Sequence, residues 1–360
     1  MRALIRADSG IEIGFGHISR CLTLAKSLKN NGVEVFFVCK KHPGNSIAII
    51  KKEDIRVHSL SVLERESIKK YNHSKWLGSS ITQDALQTIE VVKKYKPDLI
   101  IIDHYGIDII WQKILKPFVK NIMVIDDIAD RSHECDILLD QNWYPNSEKR
   151  YKELTPKNCA LLLGPKYALI KPEFSNYHNI CTKIRKEVSR IFIFFGGSDN
   201  FNLSLMALKV LTKKIFKNIH IDIVLGGSNP SIQEINALAS RRKKTKVYIQ
   251  TSAMEKIMSK CDLAIASGGV NTWERLCLGL DSLVITVAEN QVESMKNLDN
   301  HGVVKLIGHA TDINEKIFFD RVFEYIINKN YKKKKNNIIE CDGEGANRVA
   351  SLLLNYFNKK

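Results

Sequence analysis

The feature that most constrains the fold is a repeated unit, in which a short and near-continuous apolar run leads into a helical pattern. The apolar runs occupy residues 3–7, 33–39, 100–103, 122–125, 191–195, 221–225 and 263–266. Strands that are apolar at every position are buried on both faces, and the intervening helices cover those faces. The pattern therefore predicts an α/β protein built on parallel sheets.

The repeated unit occurs in two series, which a polar segment at residues 171–186 separates. A chain of 360 residues, 44% of them hydrophobic, is long enough for two cores of ordinary size. We therefore expect two doubly wound, Rossmann-like domains over residues 1–175 and 186–345, facing a cleft in the glycosyltransferase-B arrangement. A last helix within residues 346–360 is expected to pack back across the structure.

The net charge of +16 permits nucleic acid, an anionic membrane surface or an acidic small molecule as a partner. Much of this charge lies at residues 241–244, 332–335 and 359–360, without interleaved aromatic residues. Such clusters are typical of solvated loops, so we expect no nucleic-acid partner.

Two further features of the composition bear on location. No apolar stretch is long enough to span a bilayer, and charged residues interrupt the first one, so we expect neither a signal peptide nor membrane insertion. The eight cysteines are scattered without a Cys-x-x-Cys pair, which favours reduced thiols over disulfides or a zinc site. We expect a cytoplasmic protein.

A histidine in the first glycine turn is the leading catalytic candidate. The run Gly14-Phe15-Gly16-His17 joins the first apolar run to a helix with one apolar face, and His17 lies on that face. Backbone N–H groups at such a helix start bind anions, and the glycines let a phosphate approach. The positive end of the helix dipole disfavours imidazolium, so a neutral His17 beside a phosphate is a candidate general base.

The same turn argues against a nicotinamide cofactor. Ser19 stands where the dinucleotide fingerprint has a third Gly or Ala, and residues 38–40 provide no acidic side chain after the second strand. Asp126 and Asp127 point in different directions on an extended backbone, and residues 133–136 lack metal-ligand spacing. We expect neither a cofactor nor a metal.

A second catalytic candidate follows the apolar run at residues 100–103. In the segment Asp103-His104-Tyr105-Gly106, we interpret Asp103 as the cap of the next helix rather than as a catalytic group. Tyr105 is a catalytic candidate, because its hydroxyl can hydrogen-bond a substrate oxygen or a developing charge.

The second half carries a pattern typical of nucleotide binding. Glycines at a helix start let a diphosphate approach the backbone, and Glu274, one turn further, can accept hydrogen bonds from both ribose hydroxyls. The alternative interpretation of Glu274 is a solvated acid favoured by the helix dipole. An acid and two amides after residues 283–287 suit the hydroxyl and acetamido groups of a sugar. The binding candidates here are Ser267, Gly268, Gly269, Thr272, Glu274, Glu289, Asn290 and Gln291.

Together, these motifs resemble one family. The matching segments are residues 5–8, 12–17, 20–25, 102–106, 136–142, 164–170, 195–199, 267–274 and 289–291. In this order they resemble the UDP-2,4-diacetamido-2,4,6-trideoxy-β-L-altropyranose hydrolases, from residue 2 to about residue 300. This bacterial family acts in the biosynthesis of pseudaminic acid, a nonulosonic sugar of flagellin and surface glycans.

The resemblance also implies roles for individual residues. His17 corresponds to the catalytic base of the family, and Tyr105 and Asn290 correspond to positions near the sugar and the reacting centre. Gly16 corresponds to the turn that contacts the diphosphate. The residues that correspond to the nucleotide-binding side are Gly268, Gly269 and Glu274. The remaining substrate-binding candidates within the matching motifs are Gly14, Tyr167, Gly196, Gly197 and Ser198.

The implied reaction is hydrolysis of a UDP-linked diacetamido sugar to UDP and the free sugar. UDP is a good leaving group, so one base and a set of N–H donors suffice. We expect His17 to activate a water that attacks the anomeric carbon with C–O cleavage and inversion, in a monomeric enzyme. A glycosyltransferase, a hydrolysing UDP-sugar 2-epimerase and a basic nucleic-acid-binding protein remain as alternatives.

Overall fold

The computed structural model describes residues 1–63, 73–182, 187–327 and 339–358, and the chain forms two compact units. The first unit comprises Met1–Lys171 and Glu344–Lys360, and the second comprises Pro172–Gly343. The basic segments at residues 332–335 and 359–360 lie outside the described residues. Within the described ranges, no helix combines the length and the apolar character needed to cross a membrane.

The first unit contains a seven-stranded parallel sheet. Its strands are β1 (Arg2–Ala7), β2 (Glu34–Lys40), β3 (Arg56–Leu60), β4 (Leu99–Asp103), β5 (Asn121–Ile125), β6 (Ile137–Asp140) and β7 (Ala160–Leu163). The spatial order is β3-β2-β1-β4-β5-β6-β7, so the strand order reverses between β1 and β4. Ligands of open α/β sheets bind at such a switch point, outside the carboxyl ends of the strands.

Helices cover both faces of this sheet. They include α1 (Gly16–Asn30), α2 (Ile47–Lys52), α3 (Ile81–Tyr95), α4 (Ile109–Leu115) and α5 (Ser147–Tyr151). Alternate residues of β1 enter two different cores, with Ala3 and Ile5 in the core under α1 and Leu4 in the core on the opposite face. This double burial is the reason why the strands are apolar at every position.

The second unit repeats the architecture with six parallel strands in the order β10-β9-β8-β11-β12-β13. The strands are β8 (Arg190–Phe194), β9 (His220–Leu225), β10 (Thr245–Ile249), β11 (Leu263–Ser267), β12 (Asp281–Thr286) and β13 (Lys305–His309). The helices are α6 (Leu203–Leu211), α7 (Ile232–Ser240), α8 (Met254–Met258), α9 (Asn271–Leu278), α10 (Glu289–Asn300) and α11 (Glu315–Ile327). Two parallel α/β units confirm the predicted fold class.

The last helix, α12 (Gly345–Asn358), belongs to the first unit and packs against α1. The hydroxyl of Ser27 in α1 donates to Oδ1 of Asn347 at 2.6 Å. Gly345 lies so close to the backbone of Ala168 that any side chain would overlap with it. The residues of α12 that complete the core under α1 are Ala346, Val349, Ala350 and Leu353.

Candidate active site

His17 lies in the first turn of α1, and its imidazole faces a buried carboxylate. Nδ1 of His17 is 2.6 Å from Oδ1 of Asp103, the last residue of β4. The two groups meet because β1 and β4 are neighbours, with Ala7 paired to Asp103 at their carboxyl ends. An ionised carboxylate only accepts, so Nδ1 carries the hydrogen and Nε2 is left as the basic nitrogen.

Arg20 holds Asp103 in its ionised form. Nε of Arg20 donates to Oδ2 of Asp103 and Nη2 donates to Oδ1, both at 2.6 Å. Burial favours the neutral acid, but the Arg20 guanidinium and His17 hold the pKa of Asp103 well below its usual range. The carboxylate is therefore charged at neutral pH, and it orients the imidazole.

The prediction that Asp103 caps the next helix is wrong. The cap of α4 is Asp108, whose Oδ1 accepts from the backbone N–H of Ile110 at 2.9 Å. Asp103 is fully buried at the end of its strand, where the neighbouring strand brings His17 to it. Asp103 and Arg20 are candidate site residues that the sequence reasoning missed. The available signal was that Arg20 follows His17 by three residues, on the same face of the helix.

Tyr105 packs against His17. The rings of Tyr105 and His17 lie edge to face with centroids 4.6 Å apart. The Tyr105 hydroxyl donates to Oδ1 of Asp127, and Nη1 of Arg20 donates to the other oxygen of Asp127 at 2.7 Å. Burial and the adjacent Asp127 raise the pKa of Tyr105 well above its usual value, so the phenol stays protonated. Its hydrogen is directed at Asp127, and contact of Tyr105 with a substrate oxygen stays a prediction.

The start of α1 is open. Gly14 has φ +78°, which favours glycine, and its N–H donates to the carbonyl of Gly10 at 2.8 Å. Phe15 precedes the helix and provides no side-chain cap, and the first turn contains no acidic residue. A Cβ added to Gly16 would meet nothing within 4 Å, so the packing of the chain does not require this glycine. No side-chain cap occupies the N–H groups of the first turn of α1, so these groups can bind an anion.

In the second unit, several predicted nucleotide residues lie together. A Cβ on Gly268 would be 2.5 Å from Cγ of Met295, so the turn after β11 packs closely on α10. Gly269 faces Gln291, with 3.8 Å between its Cβ position and Nε2. Gln291 accepts from the backbone N–H of Val287 at 3.0 Å. Half-buried Glu274 accepts a hydrogen bond from Asn271.

Two of the binding candidates belong to a buried polar cluster around Arg275. Thr272 is fully buried, and its hydroxyl accepts from Nη2 of Arg275 at 3.0 Å. The Thr272 side chain is turned inwards, and substrate contact by this residue stays a prediction. Ser267 is 6% exposed, and its carbonyl accepts from the same nitrogen at 3.1 Å. Arg275 donates to neutral oxygens, and burial lowers its pKa to about 9.

The turn after β8 carries Gly196, Gly197 and Ser198. Gly196 has φ +91°, and both Gly197 and Ser198 are exposed. The first N–H groups of the following helix α6 are already occupied, because Asp199 accepts from Leu203 and Ser204 at 2.9 Å and 2.8 Å. Unlike the start of α1, the start of α6 already has a carboxylate, that of Asp199, on its free N–H groups.

The other binding candidates lie elsewhere. Tyr167 ends a 3₁₀ turn, Pro165–Tyr167, and packs on the core shared by α1 and α12. Glu289 and Asn290 are exposed in the first turn of α10. Substrate contact by these three residues stays a prediction. Among the described residues, no group of three or more His, Cys, Asp or Glu could hold a metal ion.

The comparisons with known proteins identify relatives of this chain. No family model matches the sequence. The chain is 31% identical over 293 residues to UDP-2,4-diacetamido-2,4,6-trideoxy-β-L-altropyranose hydrolase of Campylobacter jejuni, across 81% of this chain and 93% of that protein. It is 26% identical over 258 residues to a Helicobacter pylori protein named as pseudaminic acid cytidylyltransferase and the same hydrolase, across 70% of this chain and 44% of that protein.

Solved structures share the fold over the whole chain. MurG of Acinetobacter baumannii has a TM-score of 0.65 at 14% identity, covering 100% of this chain and 99% of that chain. UDP-GlcNAc 2-epimerase of Neisseria meningitidis bound to UDP-GlcNAc has a TM-score of 0.54 at 15% identity, covering 100% of both chains. These likenesses confirm the glycosyltransferase-B fold. With this fold and the extent of the match to the Campylobacter enzyme, the chain belongs to the family of the UDP-2,4-diacetamido-2,4,6-trideoxy-β-L-altropyranose hydrolases.

Proposed function

We propose that this protein hydrolyses UDP-2,4-diacetamido-2,4,6-trideoxy-β-L-altropyranose to UDP and the free sugar, in the synthesis of pseudaminic acid. Membership of the family supports the substrate. The observation that carries the hydrolytic chemistry is the 2.6 Å contact between Nδ1 of His17 and Asp103, because it leaves Nε2 of His17 basic.

In the proposed reaction, Nε2 of His17 takes a proton from a water molecule. The water oxygen attacks the anomeric carbon, the bond from that carbon to the diphosphate oxygen breaks, and its electron pair leaves with UDP. Attack opposite the leaving group inverts the anomeric centre. Asp103 stabilises the imidazolium that forms, and so offsets the unfavourable field of the α1 dipole.

The open start of α1 supports a role for Gly14 and Gly16 beside the diphosphate. Free N–H groups there can stabilise the negative charge that grows on the leaving group as the glycosidic bond breaks. We place the nucleotide at the turn after β11, where Gly268 packs on Met295 and both Gly269 and Glu274 are half-buried. Tyr105 acts in this proposal by holding Asp127 and packing on the imidazole of His17.

The experiment is hydrolysis of the proposed substrate in ¹⁸O-labelled water, with the products followed by NMR and mass spectrometry. C–O cleavage puts the label in the sugar, and inversion shows in the first anomer released. Label in UDP would refute attack at carbon. A changed configuration at C2 would indicate an epimerase, and a glycoside formed with an added acceptor would indicate a transferase.

The role of His17 is tested by His17→Asn. Loss of a general base lowers kcat by about 10²–10⁴-fold while UDP affinity stays close to that of the wild type. The matched control is His301→Asn, because His301 is an exposed histidine of the second unit. Full turnover by His17→Asn would exclude His17 as the base.

We also propose that the enzyme acts as a cytoplasmic monomer without a nucleic-acid partner. Part of the positive charge is structural, because Nη2 of Arg242 donates to the carbonyls of Phe216 and Ile219 at 2.7 Å and 2.6 Å. Light scattering measures the molar mass in solution and so tests the monomeric state. Salt-dependent binding of DNA or RNA that UDP does not displace would contradict the absence of a nucleic-acid partner.

A further inference from the structure

An aromatic cluster borders the catalytic histidine. Trp76 belongs to a 3₁₀ turn, Ser74–Leu77, and its ring stacks on Tyr105 with centroids 5.7 Å apart and an interplanar angle of 23°. The same indole lies edge to face with His17 at 6.2 Å. The ring centroid of His73 lies 4.3 Å from that of Trp76 and 5.3 Å from that of Tyr105. We call Trp76, His73 and Tyr105 the aromatic wall.

The aromatic wall is held in place from beneath. Leu77 is 1% exposed, and its carbonyl accepts from Nζ of Lys40 at 2.7 Å. Lys40 is itself fully buried and pairs with Asp84 at 2.8 Å. A turn anchored by a buried apolar side chain and a buried cation is fixed before any ligand arrives. Binding on such a preformed surface costs little conformational entropy.

Trp76 differs in burial from a tryptophan of the core of the same unit. Trp111 is fully buried, and its Nε1 donates to Asp84 at 2.9 Å. Trp76 is only half-buried, at the carboxyl edge of the sheet where His17 lies. An indole that stays partly exposed beside a catalytic base offers an apolar contact surface to whatever that base acts on.

The reaction geometry places the sugar near this surface. A base lies about 2.6–3.2 Å from the water oxygen it deprotonates. That water is about 3–3.5 Å from the carbon it attacks. Together, these two distances place the anomeric carbon about 6 Å from Nε2 of His17. The ring centroids of His17 and Trp76 are 6.2 Å apart, so a sugar at that carbon is within reach of the indole.

The sugar named for the family is unusually apolar. Its two acetamido groups and its 6-deoxy carbon carry three methyl groups, and C4 and C6 lack the hydroxyls of a GlcNAc unit. Resting on the proposed function, we propose that the aromatic wall determines specificity for this sugar, with Trp76 packing against its methyl groups. Trp76 is a binding residue for the sugar in this assignment and takes no part in proton transfer.

The test separates sugar binding from UDP binding. In a His17→Asn background, which binds substrate without turning it over, Trp76→Ala should weaken binding of the intact UDP-diacetamido sugar by about 10–100-fold in calorimetry. The affinities for UDP and for UDP-GlcNAc should change by less than about twofold, because UDP carries no sugar and GlcNAc lacks the methyl groups at C4 and C6 that the wall is proposed to contact. Trp76→Phe should recover part of the lost affinity, since it keeps an apolar ring.

Phe118→Ala is the matched control. Phe118 is an aromatic residue of the same unit, 44% exposed in the 3₁₀ turn Lys116–Phe118 that precedes β5 at the amino edge of the sheet. Its replacement should leave all three affinities unchanged. Circular dichroism shows whether each variant is folded.

Two results overturn the inference: equal loss of affinity for UDP and for the sugar substrate, or sugar affinity unchanged in a folded Trp76→Ala protein. Either result can occur while the wild-type enzyme still hydrolyses the substrate, in which case the proposed function stands without the aromatic wall. Conversely, a wild-type enzyme that fails to release UDP refutes the proposed function. The binding measurements then still decide whether Trp76 recognises the sugar.

Discussion

Replacing Asp103 with asparagine tests the central contact of the active site. The carboxylate accepts from Nδ1 of His17 and from two nitrogens of Arg20, each at 2.6 Å. An amide of the same shape can donate its N–H to Nδ1, which would move the imidazole hydrogen to Nε2. The nitrogen that should accept a proton from water would then already carry one.

The expected loss follows from this geometry. A wrong tautomer together with a lost counter-charge for the imidazolium lowers kcat by about 10²–10⁴-fold, or about 2.7–5.4 kcal/mol of transition-state stabilisation. Removing one partner of a buried ion pair also destabilises the fold by about 3–5 kcal/mol. We expect the lower end of that range, because Arg20 keeps its 2.7 Å bond to Asp127.

The assay is UDP release at saturating substrate, together with urea unfolding of the same protein. Asp222→Asn is the matched control, because Asp222 is also buried and pairs with an arginine, Arg190, at 2.9 Å, but in the second unit. It should lose similar stability but keep kcat within about threefold of the wild type. A folded Asp103→Asn protein with kcat within about threefold of the wild type would refute the reasoning, as would an equal loss in the control.

Two further predictions follow from the first unit. Gly16→Ala should leave the melting temperature unchanged or slightly higher, because the added methyl group meets open space and alanine favours helix. If the diphosphate occupies that space, kcat/KM should nevertheless fall by about tenfold. Unchanged kinetics would remove Gly16 from the site. Arg6 holds the pKa values of Asp8 and Asp84 below the usual value despite their burial. On acidification, the unfolded chain therefore binds protons at these carboxylates before the folded chain does, so the free energy of unfolding should fall as the pH drops below about 4. Urea titrations at pH 3–7 check this, and an equally steep fall in Asp84→Asn would contradict the assignment of Asp84.

The secondary structure was predictable because its signals are local. The apolar run at residues 100–103 became β4 (Leu99–Asp103), and the run at residues 221–225 became β9 (His220–Leu225). Residues at every position of a doubly buried strand must be apolar, and one face of a covering helix must be as well. These requirements are met within a few residues of chain, so neighbouring positions alone reveal them.

The candidate site was only partly predictable. His17 could be identified from its glycine turn, but its partner Asp103 is 86 residues away in the chain and looked like a helix cap. Thr272 lies in a motif of small polar residues, and burial against Arg275 turned its hydroxyl inwards. In both cases, the local motif did not show which direction the side chain faces.

The sequence by itself determined the α/β class, the two series of strands, the glycine turn with His17 and the resemblance that led to the family. Only the tertiary structure decided that β1 and β4 are neighbours, which joins His17, Arg20 and Asp103 into one hydrogen-bonded group. It also decided that Trp76 stands beside that group. The physical reason is that strand order and side-chain burial depend on long-range packing, whereas periodicity and turn chemistry depend on neighbours in the chain.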